Sequence, residues 1–250
     1  MDLLEAVALL AAGLVAGAVN AVVGSGTLIT FPTLLAFGYA PVLANVTNNI
    51  GVLPGSVTGA WAYRRELAGQ RARIMRLAGA SALGGAVGAF ALLTLPSSAF
   101  DAIVPALILI ACALVIAQPW LSRRLARRER PKAQGGPALL ASVGAAGVYG
   151  GYFGAAQGVL LMAFLGIFLD DDLQRLNGVK NVLAGLVNAV AAVIFVAVSD
   201  VAWGAAAMIA LGAAAGGQVG GMYGRRLRPA VLRAFIVVVG VVAAVRLLAS

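Results

Sequence analysis

The chain repeats its own residue pattern at a constant spacing of 132 positions. No gap is needed to align the pairs that share this spacing, which include Gly26 and Gly158, Leu28 and Leu160, Asn45 and Asn177, and Asn49 and Asn181. Such self-similarity predicts two halves built on one plan. We expect a first repeat at 1–121, a linker at 122–136 and a second repeat at 137–250.

The composition places both halves in a membrane. Hydrophobic residues make up 62% of the chain and charged residues 11%, so little polar surface remains to face water. The 32 glycines lie inside apolar stretches, where small residues let membrane helices approach closely. We therefore predict an all-α integral membrane protein.

The composition also excludes several function classes. The chain has no histidine, the commonest metal ligand and the commonest general base, and it has one cysteine, Cys112. We expect no enzyme, no metal site and no cofactor. The formal net charge of +9 is confined to a few short connecting segments, so we interpret it as a membrane topology signal and not as a nucleic-acid site.

Ten apolar segments can be distinguished, five in each half. They cover 3–23, 27–37, 42–63, 74–95 and 100–121 in the first half, and 137–153, 159–169, 176–198, 201–223 and 229–248 in the second. The second segment of each half is too short for a ~30 Å hydrocarbon core, because 11 helical residues rise only about 17 Å. We expect eight to ten membrane segments, with a short helix after a glycine break in each half; spanning and re-entrant arrangements of these short helices both stay open.

Arginine and lysine predict the orientation of the halves. They concentrate in three connecting segments, 63–76, 122–136 and 224–228, which are expected on the cytoplasmic side. At the spacing of 132, the basic segment 63–76 corresponds to the acidic turn at Asp200, and the neutral turn at Pro96 corresponds to the basic turn at Arg228. We therefore expect inverted halves with both termini outside, an arrangement typical of transporters.

Each half carries a glycine-rich break before its short helix. The first break comprises Gly24, Ser25, Gly26 and Thr27, and the second runs from Gly154 to Gly158 and includes Gln157. Free N–H groups at a helix N-terminus attract anions, and Asn20 and Tyr152, shortly before the breaks, add side-chain donors. The alternative interpretation is a tight glycine turn in a helical hairpin.

The third segment of each half carries a second polar cluster. Its members are Asn45, Thr47, Asn48 and Asn49 in the first half, and Asn177, Lys180, Asn181 and Asn188 in the second. A lysine within the membrane is costly and therefore indicates a functional site. The alternatives are a lysine that reaches the cytoplasmic interface or one that pairs with an aspartate of 170–172. The predicted substrate-binding residues are Asn20, Gly24, Ser25, Gly26, Thr27, Thr47, Asn48, Asn49, Tyr152, Gln157, Gly158, Lys180, Asn181 and Asn188.

At these residues the sequence resembles the sulfite exporter TauE/SafE family, also called the 4-toluene sulfonate uptake permease family. The resemblance is carried by the stretch 20–32, with its glycine hairpin followed by Leu-x-x-x-Pro, by 44–48 and Pro54-Gly55, and by 179–181 through Asn188. It implies a permease of the bacterial inner membrane for a small sulfur-containing anion such as sulfite, thiosulfate, a sulfonate or sulfoacetate. Gly-Ser-Gly stands where many relatives have a longer glycine run, which leaves the substrate open.

The residues and the resemblance lead to one functional expectation. We expect a secondary transporter that holds an anion between the two breaks while the halves move in alternating access. The alternatives are a passive anion channel and a transporter of a non-sulfur organic anion. The expected partners are a small anionic substrate, the lipid bilayer and a coupling ion, H⁺ or Na⁺, with no nucleic acid; the direction of transport and the oligomeric state stay open.

Overall fold

The computed structural model describes residues 1–126, 136–223 and 229–249, and all regular secondary structure in these ranges is helical. The predicted all-α fold class is confirmed. The described helices are α1 (Leu3–Val22), α2 (Thr27–Ala36), α3 (Pro41–Ala62), α4 (Arg71–Thr94), α5 (Ser97–Ala126), α6 (Pro137–Tyr152), α7 (Gln157–Phe168), α8 (Leu173–Val198), α9 (Trp203–Tyr223) and α10 (Pro229–Ala249). Helix α5 continues five residues beyond the predicted boundary at 121, while 127–135 of the linker and the basic turn 224–228 lie outside the described residues.

Several helices have the length and composition of membrane spans. Within the described ranges, five qualify: α1, α4, residues Ser97–Trp120 of α5, α8 and α9. Helices α2 and α7 are apolar but have only 10 and 12 residues, as the glycine breaks predicted. The chain is therefore a multi-pass membrane protein.

The main helix contacts join one half to the other, and each contact has an equivalent in which the halves are swapped. Helix α1 packs on α9 as α6 packs on α4, and α3 packs on α9 as α8 packs on α4. Helices α10 and α2 are in contact, as are α5 and α7. Two further pairs, α3 with α8 and α5 with α10, join each helix to its own counterpart. This pattern is expected when two equivalent halves are related by a two-fold axis between α3 and α8.

Glycines allow the closest of these contacts. Gly212, Gly216 and Gly220 of α9 lie against the backbone of α1, and a Cβ atom at any of them would overlap main-chain atoms there. Gly84 and Gly88 of α4 meet the backbone of α6 in the same way. Small residues at this spacing let helix backbones touch, which dispersion forces favour in a lipid environment.

The same contacts give the helix directions. Helices α1 and α3 both run parallel to α9, because Gly13 and Gly51 lie beside Ile209 while Gly17 and Gly55 lie beside Ala213. Helices α6 and α8 run parallel to α4, because Gly84 lies beside Gly144 and Gly88 beside Val148, while Ser81 bonds to Leu183 and Gly85 lies beside Val187.

Helices α3 and α8 run in opposite directions. Gly59 of α3 lies beside Asn181, and Ser56 lies beside Gly185, so residue numbers rise along one helix as they fall along the other. Since α1 is parallel to α3 and α6 is parallel to α8, α1 and α6 are also antiparallel. Inversion of the complete halves stays a prediction, which these directions support.

Candidate functional site

The first break begins where α1 ends. The N–H groups of Val23 and Gly24 both donate to the carbonyl of Val19, at 2.7 and 3.2 Å. Gly24 has a φ of +88°, in the left-handed region that a residue without a Cβ occupies at no steric cost. The chain therefore turns sharply here, and α2 starts three residues later at Thr27.

The second break is closed by the same pattern. Phe153 and Gly154 donate to the carbonyl of Tyr149 at 2.9 and 3.1 Å, and Gly154 has a φ of +79°. Ala156, just before α7, is left-handed as well, with a φ of +59°. The Tyr149 hydroxyl donates to the carbonyl of Ala155 at 2.6 Å and stabilises this strained segment.

The breaks are related by 130 positions and not by 132. Helices α1 and α6 end at Val22 and Tyr152, and α2 and α7 begin at Thr27 and Gln157. Gln157 thus takes the place of Thr27, whereas the gapless alignment paired it with Ser25. The difference of two residues is absorbed by α7, which has 12 residues where α2 has 10.

The two breaks are in direct contact. The Gly158 N–H donates to the carbonyl of Gly24 at 3.1 Å. A Cβ atom on either glycine would lie 2.5 Å from the Cα atom of the other, which explains why both positions lack a side chain. The first turns of the two short helices therefore lie next to each other.

Both breaks carry unpaired hydrogen-bond donors. Within the described ranges, the N–H groups of Ser25, Gly26 and Thr27 have no hydrogen-bond acceptor. The hydroxyl of Ser25, which is 1% exposed, and the amide nitrogen of Gln157, which is 3% exposed, have none either. Buried polar atoms are normally paired, so a cluster of unpaired donors at two helix N-termini has the character of an anion site.

Asn48 supports the first turn of α2. Its amide nitrogen donates to Thr27 Oγ1 at 3.2 Å, and its amide oxygen accepts a short hydrogen bond from the Thr30 hydroxyl. These contacts orient the first turn of the short helix. The side chains of Asn48 and Thr27 thus have hydrogen-bond partners within the protein.

Lys180 is 1% exposed and lies at the end of α1. Its ammonium donates to the carbonyls of Asn20 and Ala21 at 2.9 and 3.2 Å, and not to an aspartate of 170–172. The side-chain amides of Asn177 and Asn181 donate to the same Ala21 carbonyl, at 3.0 and 3.2 Å. The C-terminal end of a helix carries partial negative charge, so a cation is favourable there.

The first half holds the end of α6 in a similar way. Asn45 of α3 donates to the carbonyl of Tyr152, the last residue of α6, at 2.9 Å. Asn45 and Asn177 are separated by 132 positions, so each third-segment helix caps the broken helix of the opposite half. The hydroxyl of Tyr152 itself is buried, with no partner among the residues described.

A network of side chains joins the halves beside the breaks. Asn49 donates to Asn188 at 3.4 Å, and Asn188 donates to the Ser56 hydroxyl at 3.4 Å. Asn20 donates to the same hydroxyl at 3.2 Å. Ser56 is absent from the predicted residues, although its spacing of 132 from Asn188 was a signal for it.

Thr47 lies apart from this group. Its Oγ1 accepts a hydrogen bond from the Ala202 N–H at 3.2 Å, where α8 connects to α9. The other predicted residues lie in the two breaks, at the ends of α1 and α6, or in the side-chain network beside these segments. The structure therefore brings together the break residues and most of both polar clusters, and places Thr47 elsewhere.

Comparison with known proteins gives one family. A model of the family described as "Sulfite exporter TauE/SafE" matches residues 9–247. The probable membrane transporter protein YfcA of Escherichia coli (strain K12) is 23% identical over 237 residues, which cover 94% of this chain and 86% of that protein. The probable membrane transporter protein ORF9 of Sinorhizobium sp is 27% identical over 244 residues, which cover 97% and 92%. No solved structure matches the chain significantly.

Proposed function

The chain belongs to the sulfite exporter TauE/SafE family, and from this premise we propose that it is a secondary transporter for a small sulfur-containing anion in the bacterial inner membrane. The anion is of the sulfite, thiosulfate, sulfonate or sulfoacetate type. The family match and the names of the relatives support a membrane transporter and not an enzyme. The two halves alternate around a site shared between them.

The unpaired donors at the two breaks carry this proposal. The N–H groups of 25–27 and the Ser25 hydroxyl form one side of the site, and the amide of Gln157 forms the other. A sulfur oxyanion presents several acceptor oxygens and no donor, which complements such a set. The contact between Gly24 and Gly158 keeps the two sides within reach of one ion.

The charge of the surrounding helices supports an anion over a cation. No aspartate or glutamate occurs in 6–65 or in 173–199, the stretches that provide α1 beyond its first turn, α2, α3 and α8. The ammonium of Lys180 lies at the end of α1, just before the first break, and it offsets the negative end of that helix. An anion at the breaks thus meets a positive potential.

Uptake of radiolabelled sulfite into proteoliposomes tests the proposal. Thiosulfate, taurine, sulfoacetate and sulfate serve as competitors, and H⁺ and Na⁺ gradients test the coupling ion. A carrier gives saturable uptake and counterflow, whereas a channel gives a flux that rises linearly with concentration. If no sulfur anion enters in either vesicle orientation, with or without either gradient, the substrate assignment is wrong.

A further inference from the structure

The C-terminal end of α1 presents carbonyl groups that no main-chain donor satisfies. Val23 and Gly24 both donate to the carbonyl of Val19, and the chain then turns away, so no main-chain N–H of the described residues bonds to the carbonyls of Asn20 and Ala21. These two carbonyls therefore carry the partial negative charge of the helix end. In membrane transporters, carbonyl groups at the C-terminal ends of broken helices coordinate cations.

The ammonium of Lys180 occupies this end of α1. It donates to the two carbonyls at 2.9 and 3.2 Å, and the residue is 1% exposed. Within the described ranges no carboxylate is paired with it; Asp171, in the α7–α8 connection, is bonded instead to Arg73 and Arg175, at 2.6 and 2.9 Å. A buried cation held by neutral carbonyl oxygens is the arrangement by which transporters hold Na⁺.

Asn177 brings a further oxygen atom to the same place. Its amide nitrogen donates to the Ala21 carbonyl at 3.0 Å, and its amide oxygen is buried with no partner among the described residues. A buried acceptor without a donor is costly, and a cation bound beside Ala21 would satisfy it. Small hard cations take oxygen ligands of this kind.

The end of α6 has a neutral partner in the corresponding role. The amide of Asn45 donates to the last carbonyl of α6. Asn48 stands 132 positions before Lys180, and its side chain bonds to Thr27 and Thr30 of α2. The need to cap a broken helix is therefore met without a charge in one half, and it does not by itself explain the buried lysine in the other.

We propose that the end of α1 is a site for a monovalent cation, and that the ammonium of Lys180 occupies it as a tethered substitute for a free coupling ion such as Na⁺. The charge stays attached to α8 and does not dissociate into either solution, so uptake requires no Na⁺. The role of this cation rests on the proposed transport function, whereas the site itself does not depend on which anion crosses the membrane.

The test begins with Lys180→Ala, which removes the side chain beyond Cβ. Propylammonium consists of the same non-hydrogen atoms that this change removes, so it can refill the site as a free cation. We expect Lys180→Ala to lower sulfite uptake into proteoliposomes about tenfold or more, because hydrogen bonds from a charged group are lost. Added propylammonium or Na⁺ should then raise uptake several-fold and in a saturable way.

Two controls separate a bound cation from a filled space. Propanol has nearly the size of propylammonium but no charge, and choline has a charge but no N–H group to donate. Neither should restore uptake by Lys180→Ala. The matched variant is Lys180→Met, which keeps most of the side-chain volume, so propylammonium should not restore its uptake. If propanol restores Lys180→Ala as well as propylammonium does, packing alone explains the lysine and the proposal is overturned.

Binding can also be measured without transport. Propylammonium should raise the melting temperature of purified Lys180→Ala in detergent in a saturable way, and propanol at the same concentration should not. If neither propylammonium nor Na⁺ shifts the melting temperature, the cation site is wrong. If they shift it but the wild type takes up no sulfur anion, the site stands and only the substrate assignment fails.

The wild type provides a test that holds even if Lys180→Ala does not fold. Its sulfite uptake should be equal in Na⁺ and in choline solutions of the same ionic strength. Uptake that requires Na⁺ would show that a free coupling ion binds elsewhere, and it would overturn the substitution of that ion by Lys180.

Discussion

Asn188 donates a hydrogen bond to the hydroxyl of Ser56 at 3.4 Å, and these two residues are 132 positions apart in the chain. Residues that correspond in two repeats come into contact only where the axis relating the repeats passes between them. The pair therefore marks the centre of the α3–α8 contact. Because Asn49 and Asn20 bond to the same two residues, the interface between the halves is polar at its centre.

This pair should be energetically coupled. In a double-mutant cycle of Ser56→Ala and Asn188→Ala, we expect a coupling free energy of about 0.5–3 kcal/mol, because each single change breaks the same hydrogen bond. The measurement is the free energy of unfolding in detergent, together with the initial rate of uptake. Thr94→Ala, at the exposed end of α4, is the control: its effect on the free energy of unfolding and that of Asn188→Ala should be additive. Strict additivity for Ser56 and Asn188 would mean that their contact contributes nothing.

The contact between the breaks should not tolerate a side chain. Gly158→Ala places a methyl group 2.5 Å from the Cα atom of Gly24, so we expect the breaks to separate and uptake to be lost. Gly79→Ala in α4 is the matched control, because nothing lies within 4 Å of its added Cβ. That change should stabilise the helix by about 0.5–1 kcal/mol and leave uptake unaltered. Normal uptake by the Gly158 variant would exclude the breaks from the transport path.

Ser25 should matter for binding more than for stability. Its hydroxyl is buried without a partner in the described structure, so Ser25→Ala removes no hydrogen bond made within the protein. We expect an unchanged or raised thermal stability and a KM for uptake about tenfold higher. Thr30→Val is the contrasting variant, since it leaves the Asn48 amide oxygen without its donor and should cost about 1–3 kcal/mol of stability. An unchanged KM in the Ser25 variant would remove its hydroxyl from the site.

Lys180 and Asn177 donate to the same carbonyl, that of Ala21, and differ in charge. We expect Lys180→Met to abolish uptake, because it removes both the cation beside the anion site and the favourable charge at the end of α1. Asn177→Ala removes a neutral donor and should lower uptake only in part, since charge-assisted hydrogen bonds are roughly twice as strong as neutral ones. Uptake rates for both variants decide this. Equal losses would show that the number of donors matters and the charge does not.

The Asp171 ion pairs predict a pH dependence. Burial raises the pKa of Asp171, but the hydrogen bonds from Arg73 and the Asp172 N–H and the charge of Arg175 outweigh burial and hold the pKa below its ordinary value. The folded protein therefore binds fewer protons than the unfolded chain, so this stabilisation is present above the ordinary carboxyl pKa and is lost as pH falls through the lowered one.

Thermal denaturation across the acid range measures this effect. The difference in melting temperature between the wild type and Asp171→Asn should be constant near neutral pH and should shrink below about pH 3.9. Thr94→Ala, at the exposed end of α4, is the control, because it changes no titratable group. A difference that does not vary with pH would assign the effect of Asp171→Asn to packing.

Much of the architecture could be predicted from the sequence, because it depends on local properties. Apolar stretches of spanning length predicted the helices, and glycine clusters predicted the breaks before α2 and α7. The repeat spacing pointed to Asn45 and Asn177 as equivalent residues. These features follow from hydrophobicity and backbone freedom, which are properties of each segment alone and do not depend on the segments packed against it. The inversion of the halves and the boundaries of the repeats rest on the same signals and stay predictions.

Only the tertiary structure decided how the polar groups are paired. The sequence predicted Lys180 as an anion ligand, an interfacial lysine or a partner of an aspartate of 170–172. In the structure its ammonium donates hydrogen bonds to the carbonyls of Asn20 and Ala21. Ser56 was missed, and Thr47 lies apart from the breaks. A hydrogen bond needs two groups within about 3 Å, and here they come from halves more than a hundred residues apart. The sequence determined which polar groups enter the membrane, while the packing of one half on the other decided which of them are satisfied and which remain available to a ligand.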